Sequence, residues 1–405
     1  MHYFNAIYQI DAFLTDLPIE NSDHFINTNV NVKKYNIDYY LKNIRQDEKI
    51  ITLGTSITAK NYTQKLQQNN LKFFEDFIPY EVLKNYNSIF MTFSEYYQVC
   101  NNIKDYTNAI KKLANGRKIY FVVGNCQTEI IQKYLLSNIE WCNKYFLVKI
   151  PTIMTFNNNS KNEELFNWLL TVCDLCLTQN ISISNRFSKT LSTELIKTNI
   201  NKKTKIKIFS NIICTAYYPQ FIEKRNYDFR IADKLLFAYA DKYIESMLDK
   251  NYNIDSIISN IKNKKFLSKN TIKAHLKNEI LLLYKKDKLC DIKIIDYIKK
   301  NIKKKILFYS YNHPKNFVLK ELTKRILNYF NIANTTFIDE EELNSVYNIN
   351  NNFNSQSQII YPCVAKFFKF KINEDDTYYT NKAFDNVKLN FDDYVRLYCS
   401  LKKSR

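Results

Sequence analysis

The sequence predicts an α/β fold organised around a parallel β-sheet, and three observations in one short stretch indicate it. Residues 120–123 are four apolar residues in a row, as in a strand that is buried on both faces. Residues 128–136 then change to the spacing of an amphipathic helix. Gly124 lies where the period changes, so the strand should end in a tight turn that leads directly into the helix.

The turn after this strand carries a thiol, Cys126. The chain has only 3 glycines, so a glycine here indicates a backbone requirement, either a positive φ or the close approach of a ligand. Cys126 would lie at the carboxyl end of a strand and the N-terminus of a helix, where open α/β sheets bind ligands and the helix dipole lowers the pKa of a thiol. The competing interpretation is a buried structural cysteine, which fits most of the other cysteines.

Length and composition limit the class of protein. A chain of 405 residues exceeds what one core usually supports, which predicts two domains or one domain with a large elaboration. Hydrophobic content of 45% with 15% aromatic residues excludes a disordered chain. No apolar run reaches the roughly 18 to 20 residues that span a bilayer, and the first residues lack a basic signal segment. The 9 cysteines have no regular spacing, so we expect a cytoplasmic protein without a disulfide framework.

The formal net charge is +19, and one region carries most of it. Residues 261–305 hold fifteen lysines and four acidic residues, a net charge of +11. One interpretation is a solvated helical face. The other is attraction of a phosphorylated ligand, or peripheral association with an anionic membrane surface. Because Lys, Asn, Ile and Tyr are all abundant, as an A+T-rich genome would make them, the charge alone does not indicate nucleic-acid binding.

Residues 1–105 are predicted to form a small Rossmann-like domain. Its strands are expected at 49–56, 71–77 and 86–93. Gly54 stands without the glycine fingerprint and gives no support for a dinucleotide site. The turn Gly54-Thr55-Ser56 is similar to the first motif of SGNH-type serine hydrolases, with Thr55 in place of the acid. Ser56 is therefore either a second candidate nucleophile or an ordinary helix N-cap.

Residues 106–346 are predicted to form the main α/β domain, with a helical insertion at about 229–301. Its further strands are expected at 144–150, 173–178, 205–210 and 304–310, and its later helices at 231–247, 254–262, 270–285, 291–301 and 318–330. Gln179 and Asn180 follow a strand, where such sheets present polar groups to a ligand. Residues 347–405 are predicted to be an Asn-rich linker and a tail, with a strand at 359–361 and a helix at 392–402.

Cys173 and Cys176 have the CxxC spacing of a metal or redox site. No second pair with zinc spacing exists, and only 4 histidines are present, so we expect no metal. Two core thiols are the simpler interpretation.

Cys126 and His313 are the nucleophile and base that the chain offers most readily. Each follows a predicted strand and precedes a helix. If the two strands belong to one parallel sheet, both residues lie on its carboxyl edge and can approach one another. A loop histidine can equally be polar surface. The other histidines lie at the terminus, in a polar stretch and in a lysine-rich helix: His2, His24 and His275.

Two motifs together carry a family resemblance. Val-Gly-Asn-Cys-Gln at 123–127, with Tyr-Asn-His-Pro at 311–314 and its following helix, resembles the WcbI family of polysaccharide-biosynthesis acetyltransferases over roughly residues 117–365. The resemblance implies a cytoplasmic enzyme that binds coenzyme A as acetyl-CoA and transfers an acetyl group to a sugar or glycan hydroxyl. It also implies a three-layer parallel-sheet fold of SGNH or flavodoxin type, since the family is similar to SGNH hydrolases.

The last SGNH motif is Asp-x-x-His-Pro, and Ser310 stands at the Asp position here. This departure indicates a Cys126–His313 dyad and leaves open which group orients the histidine. Backbone N–H groups at Cys126 and Gln127 are the expected oxyanion donors. The expected oxyanion- or substrate-binding residues are Gly124, Asn125, Gln127, Gln179, Asn180 and Asn312, and the expected cations for the phosphates of coenzyme A are Lys303, Lys304 and Lys305.

Two other functions fit the same residues. A glycan acyl esterase would use the same dyad with water as the acceptor. A non-catalytic glycan- or nucleic-acid-binding protein would use the basic region for affinity and would not depend on Cys126. No RNA- or DNA-binding motif is present, so we expect no nucleic-acid partner.

Overall fold

A computed structural model describes the fold. The described residues are chiefly 114–156, 160–184, 189–222, 239–333, 357–370 and 388–403, with short stretches before and between them. The chain divides into two compact units, residues 1–128 with 135–207, and residues 129–134 with 208–405. Predictions that lie outside the described residues concern the turn Gly54-Thr55-Ser56, His2, His24 and most of the linker at 347–358.

The N-terminal part of the first unit contains a four-stranded sheet. Its strands are β1 (Ala12–Thr15), β2 (Lys33–Asn36), β3 (Ile50–Thr52) and β4 (Phe77–Pro79). The order is β2-β1-β3-β4, and all three neighbouring pairs are parallel. Strand β3 lies within the predicted strand at 49–56, and β4 begins where the prediction at 71–77 ends.

The predicted strand at 86–93 does not join that sheet. Its two-residue strand β5 (Ser88–Ile89) pairs in parallel with β7 (Tyr145–Val148) in a second sheet. Sequence spacing placed it with the preceding strands, since consecutive strands usually neighbour one another.

The second sheet has five strands in the order β5-β7-β6-β8-β9. The remaining members are β6 (Lys118–Val123), β8 (Leu175–Gln179) and β9 (Lys205–Phe209). Strand β6 is central and parallel to both neighbours, so that Tyr120 lies between Leu147 and Leu175. Both faces are covered, which explains the uninterrupted apolar run that predicted this strand.

Four helices accompany this sheet. They are α1 (Gln127–Leu136), α2 (Ile139–Lys144), α3 (Ser160–Val172) and α4 (Thr193–Asn199). Aromatic side chains pack between strand and helix. The Trp141 ring stacks on that of Tyr145 with centroids 4.3 Å apart, and it meets the Tyr120 ring edge-on at 5.3 Å. Each such pair contributes about 0.5–1.5 kcal/mol beyond area burial. This layered arrangement confirms the predicted α/β class.

The second unit begins differently from the prediction. A helix was expected from 231, but β11 (Phe229–Ile231) and β12 (Lys234–Phe237) form an antiparallel pair, and β10 (Phe221–Ile222) pairs with β13 (Ala240–Asp241). The apolar residues of this segment recur at intervals of both two and four, so the sequence fitted either period. The helix starts only at Lys242, where the Asp241 carboxylate accepts from two helical N–H groups.

The later predicted helices of this unit are found close to their predicted bounds, and one further helix, Pro362–Phe368, was not predicted. They are α5 (Lys242–Asp249), α6 (Ile254–Lys262), α7 (Lys269–Asp287), α8 (Ile295–Asn301), α9 (Asn316–Tyr329), α10 (Pro362–Phe368) and α11 (Phe391–Lys403). The expected strand at 359–361 was wrong. Residues 358–361 are outside any strand, and Tyr361 directly precedes α10, whose first turn contains a proline.

The strand before His313 also differs from the prediction. It is short, β14 (Phe308–Ser310), and pairs antiparallel with β15 (His313–Pro314) in a two-stranded sheet. It is therefore not a member of the parallel sheet that carries Cys126. The prediction that both residues lie on the carboxyl edge of one sheet was wrong, because an apolar run of this length does not reveal which partner it pairs with.

Candidate active site

Gly124 is required by a close approach within the turn. A Cβ atom built on it would lie 2.5 Å from Oε1 of Gln179 and 2.5 Å from Cγ2 of Thr128. Both distances are far below van der Waals contact. Of the two reasons that the sequence allowed for this glycine, the structure supports close approach rather than a positive φ, which among described glycines belongs to Gly116. The group that approaches is the side chain of Gln179.

Gln179 holds the turn from the end of the neighbouring strand. Its side chain is fully buried, and its Oε1 accepts a hydrogen bond of 2.9 Å from the backbone N–H of Asn125. Its Nε2 donates to Oδ1 of Asn125 at 3.3 Å and to Oε1 of Gln127 at 3.4 Å. One amide therefore positions the residues on both sides of Cys126. Asn180, the next residue, is exposed.

Asn125 organises the start of helix α1. Its Oδ1 accepts from the backbone N–H of Gln127 at 3.0 Å, and its carbonyl accepts from both the N–H and the hydroxyl of Thr128. This is side-chain capping, in which the Asn125 oxygen satisfies a backbone N–H that has no partner within the helix. The Gln127 N–H, expected as an oxyanion donor, is thus directed at Asn125.

Cys126 is distinguished from the other described cysteines by its exposure. It is partly accessible, whereas the remaining seven are buried. Burial raises the pKa of the Cys142, Cys173 and Cys214 thiols to about 12, so these stay protonated at neutral pH. The simpler interpretation of Cys173 as a core thiol is confirmed. Cys126 immediately precedes helix α1, so its thiol lies at a helix N-terminus.

Metal ligands are not grouped in the part of the chain that the structure describes. No set of three or more His, Cys, Asp or Glu side chains there could hold a metal ion.

His313 is buried in the second unit, with 7% of its surface exposed, and a serine holds its ring. Oγ of Ser310 lies 3.1 Å from Nδ1 of His313 and donates to Oδ1 of Asn312 at 3.1 Å. A hydroxyl has one proton to donate. With that proton given to Asn312, the Ser310 oxygen can accept from an N–H at Nδ1 of His313, an arrangement compatible with the tautomer in which Nε2 is the acceptor. Ser310 is the orienting group that the sequence left open.

An aromatic cluster fixes the loop between β14 and β15. The Tyr311 ring stacks on Phe221 with centroids 4.4 Å apart and meets Tyr239 edge-on at 4.5 Å, and its hydroxyl donates to that of Tyr239 at 2.7 Å. The Tyr311 carbonyl accepts from the N–H of Cys214. Sequence reasoning missed this cluster because its members are far apart along the chain and share no period.

Lys303, Lys304 and Lys305 are exposed and lie in the segment between α8 and β14. The Lys305 ammonium lies 4.0 Å from the centre of the Phe317 ring and that of Lys303 lies 6.0 Å from the Phe367 ring. These contacts are within the range of cation–π attraction. The expected binding of coenzyme A by these residues stays a prediction. Cys126 belongs to the first unit and His313 to the second, so their pairing stays a prediction as well.

Together these features define an α/β protein with an accessible thiol at a strand-to-helix turn and a buried histidine whose ring is hydrogen-bonded to a serine. The family model of the polysaccharide biosynthesis enzyme WcbI matches residues 119–335, more than half of the chain. The chain therefore belongs to the WcbI family of polysaccharide biosynthesis enzymes, as its two motifs predicted.

A solved structure gives the same fold. It is described as WcbI, a novel polysaccharide biosynthesis enzyme, in its native form without a disulfide bond between coenzyme A and a cysteine. The identity is 17%, the match covers 71% of this chain and 91% of that chain, and the TM-score is 0.59. At this identity the likeness establishes the fold alone. No curated protein matches the chain, and none of the described helices has the length and apolar character needed to span a bilayer.

Proposed function

We propose that this protein is an O-acetyltransferase that moves an acetyl group from acetyl-CoA to a hydroxyl of a sugar or glycan acceptor. The observation that carries the proposal is the placement of Cys126, the partly exposed described thiol, at the start of helix α1 in a turn braced by Gln179. The related WcbI structure is described by reference to coenzyme A and a cysteine, which supports coenzyme A as the ligand in this proposal.

In this proposal His313 is the general base. The hydrogen bonds of Ser310 support a ring proton on Nδ1, and in that tautomer Nε2 can accept the proton of the acceptor hydroxyl. Burial of the histidine and its serine keeps the ring in one orientation. Asn312, predicted as a substrate-binding residue, acts in this scheme by holding the serine proton away from the histidine.

Cys126 serves as acyl carrier in the covalent route. Its sulfur bonds to the acetyl carbon while the bond from that carbon to the coenzyme A sulfur breaks, and coenzyme A leaves as a thiol. The acceptor oxygen then bonds to the same carbon, its proton passes to His313, and the bond to Cys126 breaks. Exchanging one thioester for another costs little free energy. In the direct route the acceptor attacks acetyl-CoA itself, and Cys126 helps to hold the thioester.

The oxyanion formed on either route needs donors aimed at it. Because the Gln127 N–H is directed at Asn125, the proposal assigns this role to the Cys126 N–H rather than to the pair expected from the sequence. Exposed Asn180, at the end of the neighbouring strand, is the proposed substrate contact, whereas buried Gln179 acts by positioning the turn.

The proposal is tested by measuring coenzyme A binding and acetyl transfer to a panel of sugars in single and double variants. Cys126→Ala and His313→Ala should each lower transfer by about 100-fold or more. If the two residues act as one unit, the double variant should be scarcely worse than either single one. Cys142→Ala, which changes a buried thiol, is the matched control and should retain activity.

Three results would contradict the proposal. Full transfer activity in Cys126→Ala would remove this residue from the chemistry. Multiplied losses in the double variant would show that the two residues act independently. Hydrolysis of a chromogenic acetate ester without any binding of coenzyme A would instead indicate a glycan acyl esterase.

A further inference from the structure

Helix α7 exposes leucines on the side that faces away from its own core. Leu281 and Leu282 are 46% and 43% exposed, and Leu289, just beyond the helix, is 64% exposed. The helix already has a buried row on its opposite side, formed by Ile272, Leu276 and Leu283. Single exposed leucines are ordinary, but three within nine residues on one side of a helix are not.

Lysines surround these leucines at helical spacing. Lys277, Leu281 and Lys285 are each four residues apart, so they form one row along the helix surface with Leu282 beside it, and Lys288 and Leu289 follow directly after the last helical residue. All six side chains are exposed. We call these residues the leucine–lysine face: Lys277, Leu281, Leu282, Lys285, Lys288 and Leu289.

The acids of this helix turn inward. Oε2 of Glu279 accepts from the Thr215 N–H at 2.7 Å, and Asp287 is buried, where it accepts from Ser210 and from the N–H groups at the start of α8. Neither carboxylate lies among the lysines of the leucine–lysine face. The face therefore combines exposed apolar side chains with positive charge that the acids of this helix do not neutralise.

We propose that the leucine–lysine face docks on an anionic phospholipid membrane surface, with the helix lying in the plane of the headgroups. Leucine side chains then enter the boundary between headgroups and acyl chains, while the lysine ammonium groups remain among the phosphates. Binding to such a surface removes the leucine side chains from water. It also brings the lysine ammonium groups close to anionic headgroups.

Other occupants match only one of these features. The phosphates of a nucleic acid would attract the lysines, but its surface would not bury the three leucines. A second copy of this chain would bury the leucines, but a symmetric pairing brings the lysines of both copies together. Charge complementarity therefore favours a lipid surface over both.

The experiment is co-sedimentation of the whole protein with vesicles of phosphatidylcholine alone and of phosphatidylcholine mixed equally with phosphatidylglycerol. Wild type should bind the mixed vesicles and not the neutral ones. Leu281→Gln with Leu282→Gln, and separately Lys277→Gln with Lys285→Gln, should each weaken binding by about ten-fold. All four side chains are exposed, so the variants should keep the wild-type melting temperature.

Matched controls lie on the other unit. Ile139→Gln with Ile183→Gln replaces two exposed apolar residues, and Lys197→Gln with Lys202→Gln replaces two exposed lysines. Neither pair should change vesicle binding. The proposal is overturned if wild type does not sediment with the mixed vesicles, or if the controls weaken binding as much as the face variants do.

Two further outcomes would overturn it in favour of another occupant. If the lysine pair weakens binding to duplex DNA as much as to vesicles while the leucine pair affects neither, the face is a general polyanion site. If the leucine pair converts a dimer into a monomer in light scattering and leaves vesicle binding intact, the face is covered by a second copy.

Discussion

Ser310 lies at the position of the carboxylate in the Asp-x-x-His-Pro motif that the sequence resembles, and it holds the His313 ring. A carboxylate can only accept at neutral pH, so in the Asp-x-x-His-Pro motif it fixes the histidine tautomer directly. A hydroxyl can donate as well as accept, and without Asn312 it could give its proton to Nδ1 and reverse the tautomer. The hydrogen bond from Ser310 to Oδ1 of Asn312 favours the tautomer in which Nδ1 carries the proton. Sequence reasoning found the substitution but not its compensation two residues away.

Ser310→Ala should therefore impair the chemistry without impairing binding. Loss of the hydroxyl leaves Nδ1 of His313 without the partner that fixes its tautomer, and we expect kcat to fall by about 10- to 100-fold with the Kd for coenzyme A unchanged. Ser310→Asp supplies an acceptor at the same position and should restore most of the lost rate. Steady-state kinetics with calorimetric binding would measure both. Equal losses in the Ala and Asp variants would show that the serine has only a packing role.

The contact between Gly124 and Gln179 is a second feature that could not be predicted from the sequence. The sequence indicated that the turn needs glycine and that Gln179 ends a neighbouring strand. It suggested a ligand as the approaching group, whereas the structure places Gln179 there. The two residues are 55 positions apart in the chain, and only the parallel pairing of β6 with β8 brings them together. The same pairing gives Gln179 its hydrogen bond to the turn.

At the scale of elements, prediction succeeded where one period was unambiguous. Strand β6, helix α1 and helices α6, α7 and α9 each have a clear apolar run or a clear helical stripe, and each was found within a few residues. Prediction failed at 229–241, where the apolar residues fit the period of a strand as well as that of a helix. It also failed at β14, because an apolar run does not show which strand it pairs with. Cys126 was placed correctly between β6 and α1, whereas His313 lies in the short strand β15, which was not predicted and which is outside the sheet of β6.

The contribution of Asp241 to the free energy of unfolding should depend measurably on pH. Asp241 caps helix α5, accepts from the Tyr361 hydroxyl and is fully buried, and burial raises its pKa to about 6. The folded state therefore binds a proton that the unfolded state releases near pH 4. Between about pH 4 and pH 6 the folded protein holds more protons, so stability falls as the pH rises, by up to about 3 kcal/mol, and then levels off.

Asp241→Asn should remove this slope, because the amide cannot ionise and still offers an oxygen to the helical N–H groups. Relative to wild type, the variant should gain stability between about pH 4.5 and pH 7 by up to about 3 kcal/mol. Urea unfolding at both pH values measures the difference. Asp255→Asn, an exposed acid in the first turn of α6, is the control and should leave the slope in place. A slope that persists in Asp241→Asn would assign it to other groups.

At the scale of the whole molecule, the sequence identified the family from two motifs that are about 190 residues apart, and the family model matches the chain between and around them. The sequence also predicted correctly that most of the cysteines are buried core residues. What composition could not give is which thiol is accessible. That depends on the turn after β6, and it leads to a test on the intact protein.

Native thiol labelling should single out Cys126. With iodoacetamide, peptide mapping should find Cys126 modified at least about ten-fold faster than the buried thiols, whose high pKa keeps them protonated, with Cys173, Cys214 and Cys290 as internal controls. In urea all cysteines should react at similar rates. Equal native rates at Cys126 and Cys290 would contradict the placement of the turn.

Acetyl-CoA extends the same measurement to the reaction. Saturating acetyl-CoA should slow labelling of Cys126 and leave the buried thiols unchanged, since only Cys126 is proposed to meet the thioester. Intact-mass analysis of the protected protein then separates the two routes. An acetyl adduct that maps to Cys126 and disappears when a sugar acceptor is added indicates covalent transfer, whereas protection without an adduct in an active enzyme indicates direct transfer. Labelling that acetyl-CoA does not slow would mean that the ligand binds away from this turn.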